Sequence, residues 1–151
     1  MLDLDSVDWA SLEHAYGNAD DVPDMLRGMV DPARAAAAFA AFDGAVVHQG
    51  WATPAATACL PFLIAALDAP GVPLARLVVL LADLSLSGNH ESWLGERLRI
   101  GAPPELRDPV LAAHPHFVAL LAHPEADVRA AAALAVGVLH ERAVDGLPAV
   151  R

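Results

Sequence analysis

Pro124-Glu125-Ala126-Asp127-Val128-Arg129-Ala130-Ala131-Ala132-Ala133-Leu134-Ala135-Val136-Gly137-Val138-Leu139 is the stretch from which the fold is read. A proline and two acids stand at its start, where they suit the orphan N–H groups and the positive end of a helix dipole. Val128, Ala132, Ala135 and Leu139 then recur at helical spacing and form one apolar stripe. The segment predicts a long helix packed along one face.

The eight residues before it, His116–His123, hold a shorter apolar block, Phe117-Val118 and Leu120-Leu121, preceded by Pro115. Pro115 and Pro124 are nine residues apart, and the same interval separates Pro23 from Pro32 and Pro61 from Pro70. Each interval encloses a short apolar block: Met25-Leu26 with Met29-Val30, and Phe62-Leu63-Ile64 with Leu67. After each comes a longer helical pattern, Phe39, Phe42, Val46 in one and Leu74, Leu77/Val78, Leu81, Leu84 in the other. The chain therefore reads as three short-plus-long helix pairs after a leading helix. Thr53-Pro54 and Asp108-Pro109 look like N-caps followed by proline at the first helical position. Pro61 and Pro115 then fall inside the short helices, where a missing N–H and a clash with the previous turn predict a kink or break. Gly50 is read as a C-cap, with His48 complementing the dipole at that helix end.

Arg34, Arg76 and Arg129 open the three long helices, but the intervals between them are unequal. The excess falls in 87–107, which contains Gly88-Asn89, Gly101 and Pro103-Pro104 and reads as an insertion with a short helix over Trp93–Ile100. The whole of 1–151 is expected to form a single domain. Its composition agrees: 56% of residues are hydrophobic and only 5% aromatic, so the core is aliphatic and helix-forming.

A repeat of roughly 40 residues built from two helices marks a helical solenoid. The run Val128-Arg129 to Leu139 resembles the HEAT-repeat pattern V-R-x-x-A-A-x-A-x-G-x-L, and Trp9–Pro23, with His14-Ala15-Tyr16-Gly17 and Asp21-Val22-Pro23, is similar to the opening of bacterial HEAT-repeat proteins of unassigned role. The resemblance implies an all-α fold, a short right-handed α-α superhelix of the armadillo-like HEAT class, in which Arg129 orders the turn between helices. The middle unit, with no valine before Arg76, is placed by spacing.

The formal charge is −10, and all nine basic residues are arginine. A nucleic-acid surface needs a basic stripe, which this chain lacks. Asp3, Asp5, Asp8, Glu13, Asp20, Asp21, Asp24 and Asp31 are concentrated at the N-terminal end against Arg27. Such a bias serves solubility and helix starts, or offers an acidic face to a basic protein partner. The apolar runs Ala55–Leu67, Leu74–Leu86 and Ala130–Leu139 are too short to span a bilayer, which takes ~20 residues. The first residues are acidic and lack the basic start of a secretory signal. The lone Cys59 admits no internal disulfide. A cytoplasmic protein is expected.

The seven histidines have poor spacing for a metal: His114 and His116 flank Pro115, His116 and His123 lack an intervening carboxylate partner, and His90-Glu91 and His140-Glu141 are isolated pairs. Cys59 lies in an apolar stretch, and Ser85 and Ser87 lie at a helix end where back-bonding accounts for them. No catalytic residue, metal or cofactor is assigned. The expected function is a non-catalytic protein-protein interaction module, of the scaffold or acidic immunity type, whose partner is another, basic, protein. Asp20, Asp21, Asp24, Trp51, His90, Glu91 and Trp93 are the candidate contact residues, the tryptophans because such side chains are enriched at interface hot spots. The competing expectation for Trp51 is that it fills space between adjacent helices, and for Trp93 that it pins the insertion. The alternative class is a small helical enzyme using His90, Glu91 or His116 near the insertion. Asp145–Arg151 reads as the start of another helix, so the C-terminal edge is a candidate for homo-oligomer formation.

Overall fold

A computed structural model describes residues 3–87 and 102–139, which are mostly helical. Among the described residues seven α-helices follow in order: α1 (Val22–Met29), α2 (Ala35–Ala45), α3 (Pro54–Ala65), α4 (Leu74–Leu86), α5 (Pro104–Ala112), α6 (His114–Leu120) and α7 (Ala126–Val138). Two short antiparallel hairpins join them: β1 (Glu13–His14) with β2 (Gly17–Asn18), and β3 (Val47–His48) with β4 (Trp51–Ala52). Among the described residues no helix is long and apolar enough to cross a membrane.

The expected stripes form the core. Phe39, Phe42 and Val46 are fully buried, as are Leu77, Val78, Leu81 and Leu84, and Val128, Ala132, Ala135 and Leu139 complete the third stripe. Each large aliphatic or aromatic side chain so buried contributes about 1.5–3 kcal/mol. The principal helix neighbours are α4 with α7, α1 with α2, α6 with α7, α4 with α5 and α3 with α5. Small residues set the closeness of these approaches. A Cβ added to Gly28 on α1 would stand 2.8 Å from the Cβ of Ala38 on α2.

The arginines at the long-helix starts bind outside their own helices. Arg129 Nη1 donates to the carbonyls of His123 and Pro124, both at 2.8 Å, so it does tie down the turn entering α7. Arg34 donates to the Asp24 carbonyl and carboxylate at 3.0 Å, fastening α2 to α1. Arg76 on α4 donates to Asp43 on α2 at 3.0 Å, and its guanidinium lies 5.0 Å from the centre of the Phe39 ring. Arg107, on α5, donates to the Ser85 carbonyl at 2.9 Å and approaches the Val138 carbonyl at 3.5 Å. These carbonyls belong to the last turns of α4 and α7, where the helix dipoles favour a cation.

Several expectations are corrected. The segment before α1 holds two 3₁₀ turns and a hairpin in place of a leading helix; Trp9 pins it, its indole donating to Leu4 O at 2.7 Å and its ring lying 6.1 Å from Phe62. Pro61 does not break its helix, because α3 runs through it from Pro54 to Ala65. Both Pro61 and Thr57, whose carbonyl loses its donor, are exposed, so water can take that carbonyl. The break expected at Pro115 does occur, since α5 ends at Ala112 and Pro115 sits in the first turn of α6. Asp108-Pro109 is no helix start: Pro103-Pro104 performs that role and Pro109 lies inside α5. Residues 104–107 thus belong to a helix, not to the insertion, whose remaining part largely falls outside the described residues. Thr53 and Asp21 occupy N-cap positions without side-chain capping bonds. Gly50 is not a helix cap. It forms the turn of the second hairpin with Gln49, at φ +82° and +53°, the left-handed pair that a type I′ turn requires.

Candidate binding surface

The two hairpins sit together. The Ala15 N–H, in the turn of the first, donates to the Ala45 carbonyl at the end of α2, 2.9 Å away. The second hairpin continues directly from that helix end, and its base is closed by Thr53, whose N–H and hydroxyl both donate to the Val46 carbonyl. Side chains alternate across a strand, so His48 and its cross-strand partner Trp51 share one face, while Val47 and Ala52 share the other. His48 meets Tyr16 of the first hairpin edge-on, ring centres 5.5 Å apart. Tyr16 is 73% exposed and Trp51 38% exposed, two of the four exposed large apolar side chains among the described residues. The result is an aromatic surface, Tyr16–His48–Trp51, built from both hairpins.

His14 anchors this surface to the acidic segment. Its Nε2 lies 2.8 Å from Asp21 Oδ1, and its Nδ1 accepts the Tyr16 backbone N–H at 3.1 Å. A ring nitrogen that accepts an N–H carries no proton, so the imidazole proton is on Nε2 and is donated to Asp21. Both nitrogens are then engaged. The Asp21–His14 pair looks like part of a proton-transfer relay, but the imidazole has no free nitrogen to act as a base, and it serves to hold Tyr16 in place. His48 donates through Nδ1 to the Gly44 carbonyl at 2.7 Å, as a side chain complementing the end of α2 should.

The three candidate acids are brought to one region but are not equally available. Asp21 is taken by His14, Asp24 by Arg34, and among the described residues Asp20 accepts only from the Asn18 amide at 2.8 Å. Arg27, expected to be the lone counter-charge, pairs with Asp5, while Arg34 adds a second cation beside Asp24 and Asp31. Asp20 and Glu13, at the first hairpin, have no ion pair among the described residues. His90, Glu91 and Trp93 lie outside the described residues, as does the C-terminal edge 140–151.

Other chemistry-bearing residues are accounted for locally. Cys59 is fully buried, its thiol donates to the Ala55 carbonyl, and burial pushes its pKa far above the ordinary thiol range. Ser85 and Ser87 donate back to the carbonyls of Ala82 and Asp83. His116 stands 3.9 Å from Asp68. Among the described residues no three histidine, cysteine or carboxylate side chains are grouped as a metal would need.

No protein-family model matches the chain, and neither a curated protein nor a solved structure matches it.

Proposed function

We propose that this chain is a non-catalytic protein-binding module on a HEAT-like scaffold, and that the Tyr16–His48–Trp51 surface is where a protein partner is held. The scaffold reading is supported by the short-plus-long pairs α1/α2 and α6/α7, each packed against one another, with α4 lying beside α7 and Arg129 bonded to the turn that precedes its helix. The aromatic surface carries the functional reading. Tyrosine and tryptophan offer large, stiff, amphipathic contact area at low conformational cost, and they dominate interface energetics. Here both are exposed, and both are held by hairpins fixed to helix ends. Asp20 and Glu13 at its margin favour a basic partner, in keeping with a scaffold or an acidic immunity-type protein.

The test is capture of partners from native lysate by the wild-type chain and by a Tyr16→Ser/Trp51→Ser double variant, with mass spectrometry of what is retained. The variant should stay folded by circular dichroism, because both side chains are substantially exposed, and should lose the proteins that the wild type enriches. Equal recovery by both forms would remove the aromatic surface from the reading.

A further inference from the structure

The second hairpin has another face. Val47 points away from the aromatic surface and, with Leu80 and Leu86 of α4, lines an open groove of about 470 Å³ between α2 and α4. Leu86 is 49% exposed, an unusual position for a leucine at the end of a helix whose other leucines are largely buried. Two carboxylates, Asp43 and Asp83, share the groove. Their situations differ. Asp43 is paired with Arg76, whose guanidinium is also packed on Phe39. Asp83 receives no hydrogen bond or ion pair at its carboxylate from the described residues. Partial burial, and then the nearby Asp43 charge, lift its pKa above the ordinary carboxylate range. The groove thus combines aliphatic walls with a negative charge that has no counter-ion among the described residues.

Two carboxylates in an open groove are too few oxygen ligands for a dedicated divalent-cation site, which takes six to eight for calcium. A second copy of this chain fits poorly, since it brings nineteen acidic side chains against nine arginines. We propose that the groove docks a basic segment of a partner protein, with one arginine set between Asp83 and Asp43 and an adjoining aliphatic side chain on Leu80 and Leu86. The planar guanidinium can bond both carboxylates at once, which a lysine cannot do with the same geometry. The volume suits one large side chain and its neighbour rather than a whole helix. This rests on the protein-binding reading above, but on a different face of the hairpin, so the two can fail separately.

The experiment uses a capped hexapeptide alternating leucine and arginine, titrated into ¹⁵N-labelled protein, with the leucine–citrulline peptide as a neutral isostere. The expected result is amide shifts concentrated at Val47, Gly50, Leu80 and Leu86, at least a fivefold weakening in Asp83→Asn, and at least a fivefold weakening with citrulline. Leu86→Ser, an exposed substitution that leaves the charges intact, should weaken binding by a similar factor. Asp20→Asn and the Tyr16→Ser/Trp51→Ser variant should bind within twofold of wild type, which keeps this result independent of the lysate capture. Shifts spread over Glu13, Asp20 and Asp21, or unchanged affinity in Asp83→Asn, would overturn the proposal. So would reproduction of the groove shifts by raising the concentration of unlabelled protein, which would make a second copy the occupant.

Discussion

Gly28 on α1 faces Ala38 on α2 across a gap that no side chain fits, since a Cβ at Gly28 would meet the Ala38 Cβ at 2.8 Å and Arg34 Nη2 at 2.9 Å. The arginine end can swing aside, but the alanine methyl on a packed helix cannot. Gly28→Ala is therefore expected to destabilise the protein despite alanine's better helix propensity, by about 1–3 kcal/mol as overpacking does. Urea unfolding should show a lower midpoint at unchanged slope; a stabilised variant would mean that α1 and α2 separate easily.

Arg129→Ala removes both donors from the turn at His123 and Pro124. A loss of about 1–2 kcal/mol is expected from hydrogen bonds made by a charged donor. Amide exchange at the start of α7 should accelerate with it, and unaltered exchange there would show that the turn holds without the guanidinium.

His114 is buried, and its Nε2 has no hydrogen-bond partner among the described residues. Leaving such an atom unsatisfied costs about 1–3 kcal/mol, so His114→Leu is expected to be neutral or stabilising in thermal melts. A strongly destabilised variant would contradict this.

Asp83 gives a pH dependence with a defined sign. Its folded pKa is raised above the ordinary value of 3.8, so between the two values the folded state holds more protons than the unfolded chain, and stability falls as pH rises through that window. The penalty then persists at neutral pH. Asp83→Asn should remove it: the melting temperature gains on the order of one degree at neutral pH, little because the side chain is largely exposed, and nothing well below 3.8. An equal gain at all pH values would assign the effect to something other than charge.

Cys59 should resist alkylation in the native protein and react only on unfolding, because its thiol is buried and held un-ionised. Stoichiometric labelling with iodoacetamide under native conditions would disprove that.

The helices were legible because their signals are long and redundant. The stripe Val128–Leu139 and the stripe Leu77–Leu84 each repeat an apolar residue over several turns, and burial follows them closely. The hairpins were not, because two-residue strands give no alternation to detect. Gly50 shows the ambiguity physically: a helix C-cap and a type I′ turn both demand a left-handed glycine, so the residue alone does not choose between them. Proline misled in a similar way. Pro61 and Pro109 each lie inside a helix, and whether one breaks it depends on access of water to the freed carbonyl, which is a property of the packed fold. Of the proposed binding surface, Trp51 is a candidate by residue type, whereas Tyr16 and His48 become neighbours only through the Ala15–Ala45 backbone bond between a loop and a distant helix end.

Arg107 has a consequence for how the molecule comes apart. In a stack whose units touch only their neighbours, melting can begin at one end and travel. One guanidinium set between the ends of α4 and α7 puts both helices under a common clasp, reaching 22 residues back and 31 forward along the chain. Loss of α7 would free the guanidinium that also holds the end of α4, so α4 and α7 are expected to melt in one step rather than in sequence.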